Sequence, residues 1–317
     1  MLIRKIEAQC NDCGLCARDC IAGAWQEVNG RVEMAAPQFC NQCGHCAAIC
    51  PRDAIFHDGL DPQQIRKIDK KRLDPEAFRE IVRSRRSIRR YRKAPVPKET
   101  IQDMLFLSAH SPTASNRQDV AYTVITDSAL LQYISDALFG FARKLYEKTR
   151  KGAGRLIYRG LQKFFPGNDL ERYMENMPYY IRHAEQGRDF ILHNAPVLIL
   201  VHAPAKGKGR FHCENCNIAA ANLMNDAHAR GLGTCYIGFL SLALKFSKTL
   251  RRRVALPPGR KVYACFVMGY PAHQYTSTVS REKRAIQWIE GRTESHNSQQ
   301  FRGHELNWKE LSSCPRN

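Results

Sequence analysis

The chain has 317 residues, of which 44% are apolar, and its formal net charge is +19. This is enough to bury a core and to form two domains or one large one. No window approaches the roughly 18 to 20 unbroken apolar residues of a membrane span, and the N-terminus lacks the apolar segment of a secretory signal. We therefore expect a cytoplasmic protein.

The charge is unevenly distributed along the chain. Residues 1–60 carry a formal charge of −2, so the remainder carries +21. A basic excess of this size fits nucleic acid, an anionic membrane surface, an acidic protein partner or simply a solvated surface. We expect no nucleic-acid partner, because no helix-turn-helix, zinc-finger or RNA-binding signature accompanies the charge. A membrane-surface role stays open.

The first segment of the chain is an internal repeat. Residues 10–20 read Cys-Asn-Asp-Cys-Gly-Leu-Cys-Ala-Arg-Asp-Cys, and residues 40–51 read Cys-Asn-Gln-Cys-Gly-His-Cys-Ala-Ala-Ile-Cys-Pro. Each half predicts a strand, a cysteine loop and a short helix. Residues 24–26 and 54–56 are predicted to be the returning strands.

The cysteine spacing indicates iron–sulfur chemistry. Thirteen cysteines in a reducing compartment favour metal ligands over disulfides, and thiolates suit iron–sulfur clusters or zinc. Three cysteines spaced two apart can hold three corners of a cubane, and the fourth then ligates the other cluster. This rule assigns one [4Fe-4S] cluster to Cys10, Cys13, Cys16 and Cys50. It assigns a second [4Fe-4S] cluster to Cys40, Cys43, Cys46 and Cys20.

Residues 1 to about 57 resemble the bacterial two-cluster ferredoxins. The chain departs from that family at Ile21, where a proline usually follows the fourth cysteine, whereas Pro51 is present in the second half. We expect a ferredoxin domain over residues 1–58. A polar, charged connector follows over residues 59–73.

The rest of the chain predicts alternating helices and strands. Asp74-Pro75-Glu76 begins a helix that runs to about Ser84, and a second helix spans 98–109. Strands are predicted at 121–126, 195–201 and 261–268, with a helix over 213–230 that ends at Gly231.

A basic, aromatic-rich insertion over about 138–190 is interrupted by Pro166-Gly167. Helical spacing places apolar residues on one face and basic residues on another: Ile157, Leu161, Phe164, Phe165, and Arg155, Arg159, Lys163. A core-packing helix pair, an active-site lid and a membrane-surface helix are the alternatives.

Five further motifs follow in order. Arg85-Arg86-Ser87-Ile88-Arg89 offers guanidinium groups and a hydroxyl to a phosphate, although arginine runs are often solvated. Residues 111–118, 231–238, 269–271 and 281–283 follow. In this order they resemble the nitroreductase family over about residues 75–290. The resemblance implies FMN, an α+β fold whose mixed sheet is flanked by helices, and an intertwined homodimer. Residues 74–290 form this domain, and 291–317 a C-terminal tail.

The resemblance also implies residue roles. Arg85 and Ser87 hold the FMN phosphate and ribityl end, Arg89 reaches the pyrimidine edge, and residues 112–116 contact the FMN of the other subunit. Residues 236–238 lie along the ring, although Gly238 stands where many relatives have an acid. The full candidate set is Arg85, Arg86, Ser87, Arg89, Pro112, Thr113, Ala114, Asn116, Gln118, Tyr236, Ile237, Gly238, Arg281 and Lys283.

A flavin joins one-electron cluster chemistry to two-electron chemistry. We therefore expect an oxidoreductase that takes electrons from a low-potential donor through its clusters to FMN and on to a small electrophile. That electrophile is a nitro compound, a quinone or an activated double bond. The alternatives are a non-catalytic electron carrier or redox sensor, and a membrane-surface electron-transfer subunit. Cys213, Cys216 and Cys235 are expected to be packing residues, with a redox or metal role for Cys213 and Cys216 left open.

Overall fold

The computed structural model describes residues 2–152, 156, 169–206 and 211–289. Within these ranges, no helix combines the length and the apolar character needed to cross a bilayer. Residues 1–273 form one compact unit and residues 274–317 a second one. The second unit has neither helix nor strand over its described residues 274–289, which are exposed.

The N-terminal repeat folds as predicted. The first half gives strand β1 (Ile3–Lys5), helix α1 (Leu15–Arg18) and strand β2 (Trp25–Val28). The second half gives β3 (Arg31–Met34), α2 (His45–Ile49) and β4 (Ile55–His57). The pairing is antiparallel, β1 with β4 and β2 with β3, so two strand pairs join the two halves.

The connector leads into helices predicted from the sequence. Two short 3₁₀ turns, Pro62–Gln64 and Lys70–Arg72, precede helix α3 (Pro75–Ser84). Asp74 caps α3 as predicted, because its carboxylate accepts hydrogen bonds from the N–H groups of Glu76 and Ala77. Helix α4 (Lys98–Ser108) follows.

The remaining helices and strands build the main layer structure. In chain order they are β5 (Ala121–Ile125), α5 (Ser128–Arg150), α6 (Asp169–Glu175), α7 (Met177–Ala184), β6 (Val197–Pro204), α8 (His212–Ala229), β7 (Gly233–Tyr236), α9 (Gly238–Phe246), α10 (Lys248–Arg253) and β8 (Arg260–Gly269). The sheet order is β5-β6-β8-β7, with antiparallel pairs. A parallel bridge between Ser87 and Thr234 adds a mixed edge beside β7.

The sheet is buried on both faces. Leu198 and Leu200 of β6 face a core shared with α5, α9 and α10. Ile199 and Val201 face a second core shared with α4 and α8. The continuous apolar run of β6 is thus explained, because both of its faces are covered by helices.

Helix α5 runs across the predicted start of the insertion at residue 138. Its buried residues end at Leu138, and beyond that point Phe141 is exposed. The helical stripe predicted from Ile157 and its companions up to Phe165, with the basic face of Arg155, Arg159 and Lys163, lies outside the described residues.

Candidate functional site

Four cysteines from both halves of the repeat line a single cavity. The cavity is lined by Cys10, Cys13, Cys16 and Cys50, with apolar walls from Val32, Ala54 and Ile55. These are the cysteines that the spacing rule assigns to one cluster. Four thiols lining one common space suit the corners of a cubane.

Backbone N–H groups point at the cysteine sulfurs. Asp12 N–H donates to Cys10 Sγ at 3.3 Å, Gln42 N–H to Cys40 Sγ at 3.4 Å, and Ala54 N–H to Cys50 Sγ at 3.3 Å. Such bonds stabilise thiolate charge and tune cluster potential. Gly14 and Gly44 adopt left-handed backbone conformations just before helices α1 and α2, which turns each loop back on itself.

Three of the four cysteines predicted for the second cluster lie around Trp25, and the fourth, Cys43, is exposed. Cys20, Cys40 and Cys46 pack partly buried against a small core that contains Trp25. The indole Nε1–H of Trp25 is buried and has no hydrogen-bond partner of normal geometry. Burial raises the pKa of the Cys46 thiol, and the Trp25 indole opposes that shift. An orphaned donor beside a thiolate fits a sulfur-rich anionic group at this position.

Within the described ranges, no three His, Cys, Asp or Glu side chains converge closely enough to hold one metal ion. Cys216 is fully buried, and burial raises its pKa to about 12, so it behaves as the packing residue expected from the sequence.

The arginine-rich motif is attached to strand β7. Ile88 N–H donates to Thr234 O at 2.9 Å, and Tyr91 Oη–H donates back to Ile88 O at 2.7 Å. A Cβ at Gly233 would lie 2.5 Å from Ile88 Cγ1, so glycine allows the two segments to approach. The fold thus brings the first and third predicted flavin motifs together.

The arginine-rich motif of residues 85–89, called the clamp from here on, lies beside polar atoms that have no protein partners. The pKa of the buried Cys235 thiol is raised by burial, opposed by the charge of Arg89 and by hydrogen bonds from Ser87 and Arg89. Thr234 Oγ1 and Arg86 Nε are buried without a hydrogen-bond partner. Donors left open next to arginines fit a phosphate.

Arg86 differs from its neighbours in the motif. Its Nη1 donates to Arg83 O at 2.6 Å and to Arg85 O at 2.7 Å, at the end of helix α3. One arm of this guanidinium is therefore engaged with helix carbonyls.

Two histidines lie close to the clamp and were not found from the sequence. His228 Nε2 is 2.7 Å from Ser84 Oγ, and its pKa is lowered by burial and by the charges of Arg85 and Arg86. The pKa of His193 is lowered by burial, with Asp189 opposing and Arg89 adding to the shift. Both come from distant parts of the chain and no motif surrounds them, so the sequence carried no signal.

The third motif divides its side chains between surface and core. Tyr236 Oη–H donates to Asn217 Oδ1 at 3.0 Å, and burial raises the pKa of Tyr236 to about 12. The Ile237 side chain lies in the core, so only its backbone remains for a ligand. A Cβ at Gly238 would meet nothing within 4 Å, so the position is open.

The loop of residues 111–118 lies against helix α8 and the N-terminal repeat. Ala114 N–H donates to Asn215 Oδ1 at 3.1 Å, and Asn222 Nδ2 donates to Ser111 Oγ at 2.9 Å. Asn116 Nδ2 donates to Gln42 O at 2.8 Å. Pro112 and Gln118 are exposed, and Thr113 accepts a bond from Gln118 N–H.

Arg281 and Lys283 lie in the second unit and are exposed. The resemblance to the nitroreductases implies that these two basic residues return to the FMN phosphate, and this role stays a prediction.

Comparison with known proteins identifies the larger part of the chain. The model described as "Nitroreductase family" matches residues 82–270. The chain belongs to the nitroreductase family. It is accordingly an oxidoreductase, and the predicted nitroreductase-like fold is confirmed. The model described as "4Fe-4S dicluster domain" matches residues 9–55, which confirms the predicted fusion.

Individual relatives agree with this family membership. The chain is 28% identical over 221 residues to a 4-nitrobenzoate reductase of Nocardioides sp., covering 63% of this chain and 83% of that one. It is 41% identical over 58 residues to an NADH dehydrogenase of Thermus thermophilus, covering 18% and 28% of the two chains. A crystal structure of an FMN-bound nitroreductase from Desulfitobacterium hafniense matches with a TM-score of 0.50 and 17% identity, covering 67% and 98%.

Proposed function

We propose that this nitroreductase-family protein passes single electrons from two [4Fe-4S] clusters to FMN, and from FMN to a small electrophile. That electrophile is a nitro compound, a quinone or an activated double bond, and the electrons come from an external low-potential donor. The observation that carries the proposal is the cavity lined by four cysteines from both halves of the repeat, on the same chain as a family domain whose relatives are reductases.

The cofactor assignments follow the cysteine spacing and the resemblance of the other motifs to the nitroreductases. Cys10, Cys13, Cys16 and Cys50 would hold one cluster, and Cys20, Cys40, Cys43 and Cys46 the other. Arg85, Ser87 and Arg89 would hold the FMN phosphate and ribityl end, with the open polar atoms of Arg86 and Thr234 beside them. FMN, when bound, accepts electrons singly and delivers them in pairs, and the chain's own residues position its ring and set its potential.

A homodimer is part of the proposal. Helix α3 exposes Phe78 and Val82, which lie one turn apart on the same face, with 61% and 50% of their surface accessible. Exposed apolar side chains in a row mark surfaces that a partner covers. We propose that a second copy covers this face and that the protein resides in the cytoplasm.

Metal and flavin analysis tests the cofactor content. Protein purified anaerobically should contain eight irons, eight acid-labile sulfides and one FMN per chain, as two cubanes and one clamp require. A fully loaded protein with four irons or fewer, or with tightly bound zinc, would contradict the two-cluster assignment.

The electron route is tested with Cys43→Ala, in which the exposed Cys43 ligand is removed. We expect this variant to lose flavin reduction by a reduced two-cluster ferredoxin while keeping slow reduction by free dithionite. Wild-type rates with the ferredoxin would make the clusters structural.

Oxidation of the reduced protein by nitroarenes and quinones then separates an enzyme from a closed electron carrier, since a carrier would reduce none of them catalytically.

A further inference from the structure

The two halves of the cysteine repeat make different contacts at equivalent positions. Asp12 and Gln42 are matched in the repeat, and both adopt the left-handed conformation, with φ of 48° and 59°. The Asp12 side chain makes its hydrogen bonds within the N-terminal repeat, because its Oδ1 accepts from Lys5 Nζ at 2.9 Å and from Val32 N–H at 3.0 Å. The backbone at Gln42 is instead bound by the nitroreductase part of the chain.

Asn116 makes that contact. Its Nδ2 donates to Gln42 O at 2.8 Å and to Asn41 O at 3.3 Å, so one side-chain amide spans two successive carbonyls of the cysteine loop. Gln118 Nε2 donates to Asn116 Oδ1 at 3.1 Å, which fixes the orientation of the amide. The donor group of Asn116 thus binds the cysteine loop, and its acceptor group binds Gln118.

The backbone on the nitroreductase side is strained at the same point. Ser115, Asn116 and Gln118 have φ of 53°, 51° and 49°. Non-glycine residues in this region cost of order 1 kcal/mol or more each, and they persist where the surroundings fix them. Ala114 N–H is tied to Asn215 Oδ1 of helix α8, so the strained loop is anchored behind the contact.

We infer that Asn116 is a positioning residue that docks the loop of residues 40–43 against the loop of residues 111–118. The iron–sulfur group held by Cys20, Cys40, Cys43 and Cys46 would therefore be the one next to the flavin. The order of the two iron–sulfur groups rests on the electron route of the proposed function. In this order Cys10, Cys13, Cys16 and Cys50 would hold the group nearer the external donor.

The test compares Asn116→Gly and Asn116→Asp with Asn176→Asp. Glycine removes the amide without backbone strain at positive φ, and aspartate keeps the shape but cannot donate. Asn176 is the matched control, because its Nδ2 also donates to a backbone carbonyl, Arg172 O at 2.9 Å, away from the contact. Flavin and iron contents are measured for all variants.

Two readouts are taken from the loaded full-length protein. Hydrogen exchange of peptides covering residues 40–43 should accelerate several-fold in both Asn116 variants and not in Asn176→Asp. Flavin reduction by reduced two-cluster ferredoxin should slow on the order of tenfold or more, as a misplaced donor would require. Reduction by free dithionite should be unchanged in Asn176→Asp, and all rates are expressed per bound flavin.

The outcomes separate the inference from the proposed function. Wild-type exchange and wild-type ferredoxin-driven rates in Asn116→Gly overturn the inference. Loss of flavin with unchanged exchange at residues 40–43 also overturns it, since Asn116 would then serve the flavin alone. If the wild-type protein itself transfers no electrons from ferredoxin to FMN, the proposed function is wrong. The docking role of Asn116 is then still decided by the hydrogen-exchange result.

Discussion

Arg85 and Arg86 are adjacent in the sequence, but their guanidinium groups have different surroundings. Arg86 donates to two carbonyls at the end of helix α3, including Arg85 O. The sequence could not separate the two arginines, because both suit a phosphate and the difference depends on where the helix ends in space. The structure therefore makes Arg85 the better test of the clamp.

Arg85→Ala should weaken FMN binding by about 1.5–3 kcal/mol, the scale of one charge-assisted hydrogen bond. Flavin release followed by fluorescence titration measures the change in Kd. Arg83→Ala is the control, since it removes the same charge from an exposed position in the last turn of α3. Equal affinity of Arg85→Ala and the wild type would exclude Arg85 from the clamp.

Trp25→Phe should lower the reduction potential of one iron–sulfur group. The buried indole Nε1–H has no other partner of normal geometry and acts on Cys46, and hydrogen bonds to cluster sulfur raise the potential. Phenylalanine keeps an aromatic ring in the core and removes the donor together with part of the indole volume. A redox titration followed by EPR should show one potential shifted downward and the other unchanged; two unshifted potentials would contradict the assignment.

At the scale of single elements, strand β7 was not predicted as a strand, because residues 231–238 were singled out only as a motif of the family. Gly233 lies in the motif predicted to follow the long helix, and the structure shows that its missing Cβ makes room for Ile88. Contacts of this kind join distant segments, so they are visible only after folding. Gly231, by contrast, was predicted from local capping rules and adopts the expected left-handed conformation with φ of 76°.

Gly233→Ala should push the clamp away from β7. An added Cβ at 2.5 Å from Ile88 Cγ1 cannot be accommodated without movement, and overpacking costs about 1–3 kcal/mol. Chemical denaturation and flavin content should both report the change. Gly238→Ala is the matched control for stability alone, because a Cβ there meets nothing within 4 Å. A Gly233→Ala protein with wild-type stability and flavin content would show that the approach of these segments is not required.

The central sheet contains a histidine that should make stability depend on pH. His202 of β6 is buried; its Nδ1 accepts from Arg260 Nε at 2.7 Å, and its Nε2 lies 3.1 Å from Thr123 Oγ1. Burial, with the charge of Arg260 adding to it, lowers the pKa of His202 from 6.5 to about 4. The unfolded chain therefore takes up the proton first as the pH falls.

This histidine should contribute to stability fully above pH 6.5 and lose that contribution as the pH falls from 6.5 toward 4, by on the order of 3 kcal/mol. Urea denaturation across this range measures it. His202→Gln should flatten the pH dependence relative to the wild type, whereas substitution of the exposed His110 by glutamine should not. Parallel curves for His202→Gln and the wild type would contradict the assignment.

At the scale of the whole molecule, the sequence predicted the repeat, the two helices after the connector, the buried strands and the family. Each of these rests on a local pattern: cysteine spacing, capping residues or apolar runs. The attachment of residues 111–118 to residues 40–43 has no such pattern, because Asn116 binds backbone carbonyls, which every residue has. Domain boundaries near residues 58 and 74 stay predictions, as do the homodimer and the site residues.

The homodimer can be tested together with the division of its flavin sites between chains. Light scattering should give twice the chain mass; a flavin-loaded monomer would defeat the assembly. If each site combines the clamp of one chain with the loop of its partner, Arg85→Ala and Pro112→Trp chains should complement each other. Pro112 is exposed, so tryptophan there should block the site without unfolding the chain.

In an equal mixture of the two variants, half of the dimers are mixed, and each mixed dimer regains one intact site of its two. Flavin binding should therefore return to about a quarter of the wild-type level after the chains are unfolded and refolded together. Each variant refolded alone is the control and should bind little flavin. No recovery on mixing, with dimers present, would mean that the clamp and the loop of a single chain build the site, and that the partner only covers the apolar face of α3.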